Sequence, residues 1–290
     1  MIRFFATPSD ISDDIVRLGA EDAAHIRSLR LRPSELFIVC DGEGTDYVCR
    51  LSERSGIGGE INETGCLNSP QQAGSLAVIV EKRRSLGEPT VSCVAYIALM
   101  KGDRLDYAVQ KSVELGADGI VLFPSERCIT VPGDIKKKIA RFQRIALETA
   151  KQCGRGCVPV VSAADSFEIA VKQAATAGLP LFFYECEEET RLKQALSMGL
   201  GAMYQEPGDD DSFPGTGAED RRFAGATYGR PKKSADVSVM TGPEGGFESF
   251  EADFAKASGM ISVSLGARIL RCETAPAAAL AAVMFYTGNL

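Results

Sequence analysis

From about residue 88 to the C-terminus, apolar runs of strand length alternate with stretches of helical period, and this alternation restricts the possible folds more than any other feature of the chain. Strands separated by helices cannot close as hairpins. Each returns parallel to the one before it, so an α/β domain with a largely parallel sheet is predicted. The strand candidates are Val91 to Ala98, Gly119 to Phe123, Leu181 to Tyr184, Val237 to Met240 and Ile261 to Leu265. The first helix of this half is predicted to start at an Asp103 N-cap, to carry Leu105, Val109 and Val113 on one face, and to stop at Gly116. Earlier residues have another texture. Leu36 to Cys40, the turn Asp41-Gly42-Glu43-Gly44, Tyr47 to Leu51 and Leu76 to Val80 read as the short strands and tight turns of a small barrel or sheet. A chain of 290 residues exceeds what one core usually needs, so two domains are predicted, 1–87 and 88–290, meeting at Ser85-Leu86-Gly87-Glu88-Pro89. Residues 199–235, rich in glycine and acid, are expected to form a flexible insertion in the second domain.

Composition excludes several classes. No run approaches the roughly 20 apolar residues that cross a bilayer, and the opening MIRFFATPSDISDD lacks the basic-then-apolar order of a signal peptide, so a cytoplasmic protein is expected. Nine scattered cysteines with no C-x-x-C pair read as reduced thiols. Cys153 and Cys157 stand close together, but His25 is the only histidine and a structural zinc needs four N or S donors, so no metal is predicted. The net charge of −7 is concentrated in Glu206, Asp209, Asp210, Asp211, Glu219 and Asp220, and therefore does not argue against a polyanionic partner for the rest of the surface. Segment 136–155 carries seven basic residues and one acidic, with Lys137, Arg141, Arg144, Lys151 and Arg155 on one helical face and Ile139, Phe142, Ile145, Ala146 and Cys153 mostly on the other. A solvated face would look the same, but a second basic cluster, Arg27, Arg30 and Arg32, shifts the expectation toward RNA contact.

Two strand-to-loop junctions carry the chemistry. Met240-Thr241-Gly242-Pro243-Glu244-Gly245-Gly246-Phe247 follows an apolar run, and its three glycines let backbone come close to a ligand. It lacks the spacing of a P-loop or a dinucleotide-binding turn. Some twenty residues on, Ser264-Leu265-Gly266-Ala267-Arg268-Ile269-Leu270-Arg271 leads to Glu273-Thr274-Ala275-Pro276, where a helix is predicted to open with Thr274 as N-cap and Pro276 in its first turn.

TGPEGGF (241–247) and SLGARILRCETAPAAALAA (264–282) resemble the paired cofactor motifs of the RsmE family of ribosomal RNA methyltransferases. KGDRLDYAVQKSVELGADGIVLFPSERC (101–128), ETAKQCGR (148–155) and HIRSLRLRPSELFIVCDGEG (25–44) resemble further stretches of that family, in the same order. Pro276 departs from the family's usual helix former, and 199–235 is longer than its usual connection. The resemblance implies a PUA-like RNA-binding barrel followed by a SPOUT domain with a trefoil knot, a homodimer, and S-adenosylmethionine as the cofactor. It implies methylation at N3 of one uridine in 16S ribosomal RNA, on the RNA or the small subunit.

Carried over by position, Thr241, Gly242, Pro243, Glu244, Gly245 and Gly246 would line one side of the cofactor, and Leu265, Gly266, Ile269 and Leu270 the other. Without the resemblance, Leu265, Ile269 and Leu270 would read as core residues. Methylating a neutral imide nitrogen requires its proton to leave. Glu244 is the candidate carboxylate for taking the proton or orienting a partner, and Arg268 the candidate cation for the resulting anion. Lys101, Arg104, Lys137, Arg141, Arg144 and Arg155, with Arg27, Arg30 and Arg32, are the candidate phosphate contacts. Two other readings are a ribose 2′-O-methyltransferase of the same superfamily and a non-catalytic RNA-binding assembly factor.

Overall fold

The computed structural model describes residues 1–52, 75–129, 132–201 and 233–290. The predicted insertion lies almost wholly outside them, as does Cys66. The chain divides into two compact units. Among the described residues, Lys151–Cys157 groups with Met1–Glu88 in the first, and the rest form the second.

The first unit is built on a five-stranded sheet of β1 (Arg3–Phe5), β2 (Ile15–Arg17), β3 (Leu36–Cys40), β4 (Thr45–Leu51) and β5 (Leu76–Arg84), in the order β1-β3-β4-β5-β2. β1 and β3 are parallel and the other pairings antiparallel. The β3–β4 hairpin forms where Asp41-Gly42-Glu43-Gly44 predicts it, its Asp41 carboxylate accepting from the amides of Glu43 (2.7 Å) and Thr45 (3.0 Å). Phe4, Val16, Leu18, Ile26, Phe37 and Val39 fill the core. Helix α1 (Ala20–Leu29), which sequence reasoning left unassigned, supplies Ala23 and Ile26 to that core and ends at Arg30 in the left-handed region (φ 52°). Its low amphipathic contrast hid it, since only those two of its ten residues are buried. The segment 151–157 is tied in by charge. Glu88 takes Arg155 Nη2 at 2.8 Å and the amides of Gly156 and Cys157 at 2.9 Å each, and Lys151 pairs with Asp22.

The second unit contains β6 (Ser92–Ala98), β7 (Gly119–Phe123), β8 (Val160–Ala163), β9 (Leu179–Phe183), β10 (Asp236–Thr241) and β11 (Ile261–Val263). All are parallel, in the order β11-β9-β10-β6-β7-β8. Its helices are α2 (Arg104–Glu114), α3 (Pro132–Cys153, whose last three residues belong to the first unit), α4 (Phe167–Ala174), α5 (Leu192–Leu200), α6 (Ser249–Ala257) and α7 (Ala275–Tyr286). The predicted parallel sheet is present, with one strand more than the sequence reading assigned. β8 is a four-residue edge strand whose Val160 is 62% exposed, so it lacks the apolar run that marks an inner strand. β11 stops at Val263, two residues short of the predicted end, because Ser264 turns away to bridge Arg191.

Both predicted helix starts hold, α2 after Asp103 and α7 after Thr274, although neither side chain accepts the expected capping hydrogen bond. α7 lies against α2, β6 and β10, burying Pro276, Ala279, Leu280, Val283 and Met284. On α3, Phe142 and Ala146 are buried while Lys137, Arg141 and Arg144 face solvent, as the stripe pattern requires, but Cys153 on the expected core side is exposed and Lys151 on the expected solvent side is largely covered and paired with Asp22.

Under the C-terminal end of β10 lies an aromatic cluster. Phe247, 2% exposed, has its ring 4.4 Å from Phe182, 5.9 Å from Phe167 and 6.4 Å from Phe123, centroid to centroid. A Cβ on Gly242 would come within 3.1 Å of that ring, so the chain passes close over it. Phe247→Ala is expected to cost about 3–5 kcal/mol of unfolding free energy, read from the urea midpoint. A loss below about 1 kcal/mol would mean that the neighbouring rings close the gap.

Candidate active site

In a parallel sheet the carboxyl ends of all strands open on one edge, and the loops leaving them meet there. The loops after β9, β10 and β11 enclose a cavity of about 580 Å³, joined by Arg104 from the start of α2. That volume lies within the range of small-molecule sites. Thr241, Gly242, Pro243, Glu244, Gly245 and Gly246 line it, as do Leu265, Gly266, Ile269 and Leu270, so the two predicted groups face a common space. The three apolar residues of the second group are not core. Ile269 is 86% exposed, and Leu265 and Leu270 are partly exposed.

The polar lining has unmet hydrogen-bonding capacity. Thr241, at the last position of β10, is buried and its Oγ1 lacks a partner. Glu244 Oε1 accepts from the Lys101 amide (2.9 Å) and Arg104 Nη1 (3.1 Å), whereas its buried Oε2 has no partner. Buried polar atoms of this kind are costly unless something completes them. The turn itself is closed by the Gly246 amide donating to the Pro243 carbonyl at 3.0 Å. Gly246 has φ 69°, and a Cβ there would run into the Glu185 carboxylate, so only glycine suits the position. Backbone groups, apolar side chains and unpartnered oxygens together fit a nucleoside-bearing ligand such as S-adenosylmethionine.

Arg268, the other candidate catalytic residue, lies on the cavity wall with its side chain exposed. Cys272 also lines the space, but burial pushes its thiol up to about 11, so it stays protonated near neutral pH and is not a nucleophile there. Sequence reasoning missed Phe183, Tyr184, Glu185, Cys272 and Glu273 in the lining. Tyr184 and Glu185 had one usable signal, their place at the carboxyl end of a predicted parallel strand.

The candidate RNA contacts divide. Arg27, Arg30 and Arg32 are exposed in the first unit, and Lys101, Arg104, Lys137, Arg141 and Arg144 in the second. Arg104 is engaged with Glu244, and Arg141 with Asp106. Arg155 is a correction. At 3% side-chain exposure and paired with Glu88, its guanidinium cannot reach a phosphate. Among the described residues no group of three or more His, Cys, Asp or Glu is arranged to hold a metal, and no helix is long and apolar enough to cross a membrane.

Comparison with known proteins agrees with this geometry. The family model for an RNA methyltransferase domain matches residues 88–205 and 216–284, and that for an RNA methyltransferase PUA domain matches 18–61. The chain is 26% identical over 276 residues to ribosomal RNA small subunit methyltransferase E of Mesomycoplasma hyopneumoniae (strain 232), covering 95% of each. Its identity to the protein of that name from Bacillus subtilis (strain 168) is 27% over 273 residues, covering 93% of this chain and 90% of the relative. Among solved structures, ribosomal RNA small subunit methyltransferase E from Neisseria gonorrhoeae, bound to S-adenosyl methionine, superposes with a TM-score of 0.69 at 27% identity, covering 98% of this chain and 97% of that one. The architecture is thus a PUA-like domain followed by a methyltransferase domain of the SPOUT class. With a family model spanning most of the second unit and full-length similarity in a single order, the chain belongs to the RsmE family of RNA methyltransferases.

Proposed function

We propose that this protein methylates N3 of a specific uridine in 16S ribosomal RNA, using S-adenosylmethionine, and that it acts in the cytoplasm as a homodimer with its C-terminal segment knotted through the SPOUT domain. The observation that carries this reading is the cavity shared by 241–246 and 265–270, in a chain similar over more than nine-tenths of its length to small-subunit methyltransferases, 95% in one relative and 93% in another. When bound, S-adenosylmethionine supplies a methyl group on a cationic sulfur, open to in-line displacement.

The chain's own residues account for the remaining requirements. Thr241 Oγ1 and the peptide groups of the glycine turn offer donors and acceptors to the cofactor's polar edges, and Leu265, Ile269 and Leu270 offer apolar cover. Uridine N3 carries a proton and attacks poorly until that proton departs. Glu244 is suited to accept it. The Lys101 amide and Arg104 hold Oε1 in place and leave the buried Oε2 without a partner. As the N3–H bond breaks, negative charge spreads over the uracil imide, and the Arg268 guanidinium at the wall stabilises it. The exposed cations of each unit bind phosphate and so set position rather than base choice.

Methyl transfer from labelled S-adenosylmethionine to small ribosomal subunits lacking the modification is expected to yield 3-methyluridine on nucleoside analysis. Label on a ribose would overturn the N3 assignment, and cofactor binding without transfer to any ribosomal RNA would favour an assembly role. Arg268→Ala is expected to lower kcat on the order of a hundredfold while leaving cofactor affinity unchanged by calorimetry, and full turnover in this variant would remove Arg268 from the mechanism. Glu244→Gln is expected to lose turnover by about a hundredfold and to regain part of it at alkaline pH, where solvent ionises the imide without help. A pH profile parallel to that of the parent protein would assign proton removal to another group.

A further inference from the structure

Residues 124–129, the connection leaving β7, contribute nothing to the cavity lining, yet they are stapled to the segment that carries the glycine turn. Glu251, on the first turn of α6, is 1% exposed. Its carboxylate accepts from Ser125 Oγ (2.9 Å), the Glu126 amide (3.1 Å) and the Glu248 amide (2.9 Å). These bonds hold Ser125 and Glu126, immediately before Arg127, and the start of α6 to one carboxylate. The Arg127 guanidinium then reaches two acceptors beyond β10, the Gly245 carbonyl through Nη1 and Glu248 Oε1 through Nε, each at 2.7 Å. Its aliphatic stem lies flat on Gly245, where an added Cβ would stand 3.0 Å from Arg127 Cβ and 3.2 Å from Cδ.

The consequence falls on one peptide group. The Gly246 amide is held by the Pro243 carbonyl and the Gly245 carbonyl by Arg127, so the peptide joining two adjacent glycines is tied at both ends. Glycine pairs have the widest conformational freedom of any dipeptide, and a loop that must be ordered by its ligand binds that ligand more weakly. We propose that Arg127 is a positioning residue for the cofactor, holding the Gly245–Gly246 peptide in its binding conformation before the ligand arrives. This rests on reading the cavity as the S-adenosylmethionine site. Arg127 is partly exposed, so contact with an RNA phosphate is the competing role, but its charge is already met by Glu248 and its Nη1 is spent on the Gly245 carbonyl.

Calorimetry with S-adenosylmethionine on the full-length protein, with thermal melting and steady-state kinetics, separates these roles. Wild type must bind first; if it does not, the reading of the cavity fails and the inference with it. Given binding, Arg127→Met keeps the stem and removes the donors. It is expected to raise the cofactor Kd and KM about tenfold, with an unchanged melting temperature and an unchanged kcat at saturating cofactor. Arg127→Lys, whose ammonium still donates to the Gly245 carbonyl, is expected to recover most of the affinity. An unchanged Kd in a folded Arg127→Met protein overturns the proposal, as does a loss confined to RNA affinity, which would make Arg127 a phosphate contact. Should Arg127→Met fail to fold, Glu248→Gln weakens the same pair, and there a raised Kd supports the proposal and an unchanged one refutes it.

Discussion

The glycine turn keeps its shape because Phe247, the residue that follows it, is locked into the core. A run with three glycines in five residues has few side chains with which to anchor itself, so beyond the holds on Glu244 and Gly245 its geometry comes from its ends. One end is β10, paired on both sides by β9 and β6. The other is the Phe247 ring, enclosed by Phe123, Phe167 and Phe182. Between these fixed points the backbone bows over the aromatic cluster and brings its peptide groups, with the Glu244 side chain, to the cavity. The aromatic core therefore serves affinity as well as stability, because a ligand that meets an ordered loop pays less to bind.

Charge is used in three different ways in the same chain. The Arg155–Glu88 pair is buried, with Glu88 also accepting two backbone amides, and it holds a short segment in the first unit. Desolvating two ions cancels much of their attraction, so such a pair contributes specificity of placement more than net stability, but removing one partner alone is costly. Arg104 and Glu244 make a half-exposed pair at the cavity, where the arginine orients the carboxylate by occupying one oxygen and leaving the other. On α3, Lys137, Arg141 and Arg144 form a solvent-facing row whose attraction for a polyanion weakens with salt. The sign is the same in each case, and burial decides the role.

Much of this was legible in the sequence, for reasons that also mark where legibility ends. The parallel sheet follows from alternating strand and helix patterns, a local signal carried by neighbours in the chain, whereas the cavity walls were placed by resemblance, since Leu265, Ile269 and Leu270 read alone as core. Arg155 was misread because its helical stripe is continuous with that of Arg141 and Arg144, and nothing nearby announces Glu88, 67 residues earlier. Arg127 and Gly245 are 118 residues apart, and Ser125 and Glu251 are 126 apart, so their bonds exist only once β7 and β10 lie in one sheet. β8 was invisible for the opposite reason. An edge strand with one face in solvent carries too few apolar residues to be told from a loop.

The position of β10 has a consequence for how the molecule comes into being. In the sheet it stands between β9 and β6, yet in the chain it is the last strand but one. During synthesis, β6, β7 and β8 can pair as soon as they emerge, while β9 must wait without its inner neighbour. Each then displays an open apolar edge of the kind that invites pairing with other chains. Completion of the sheet is thus deferred until β10, and after it β11, has left the ribosome, and Phe247, which anchors the glycine turn, emerges between the two. A truncated product that ends before β10 lacks a floor for the cavity as well as a wall, which ties the appearance of any ligand-binding competence to the arrival of β10 and the loops that follow it.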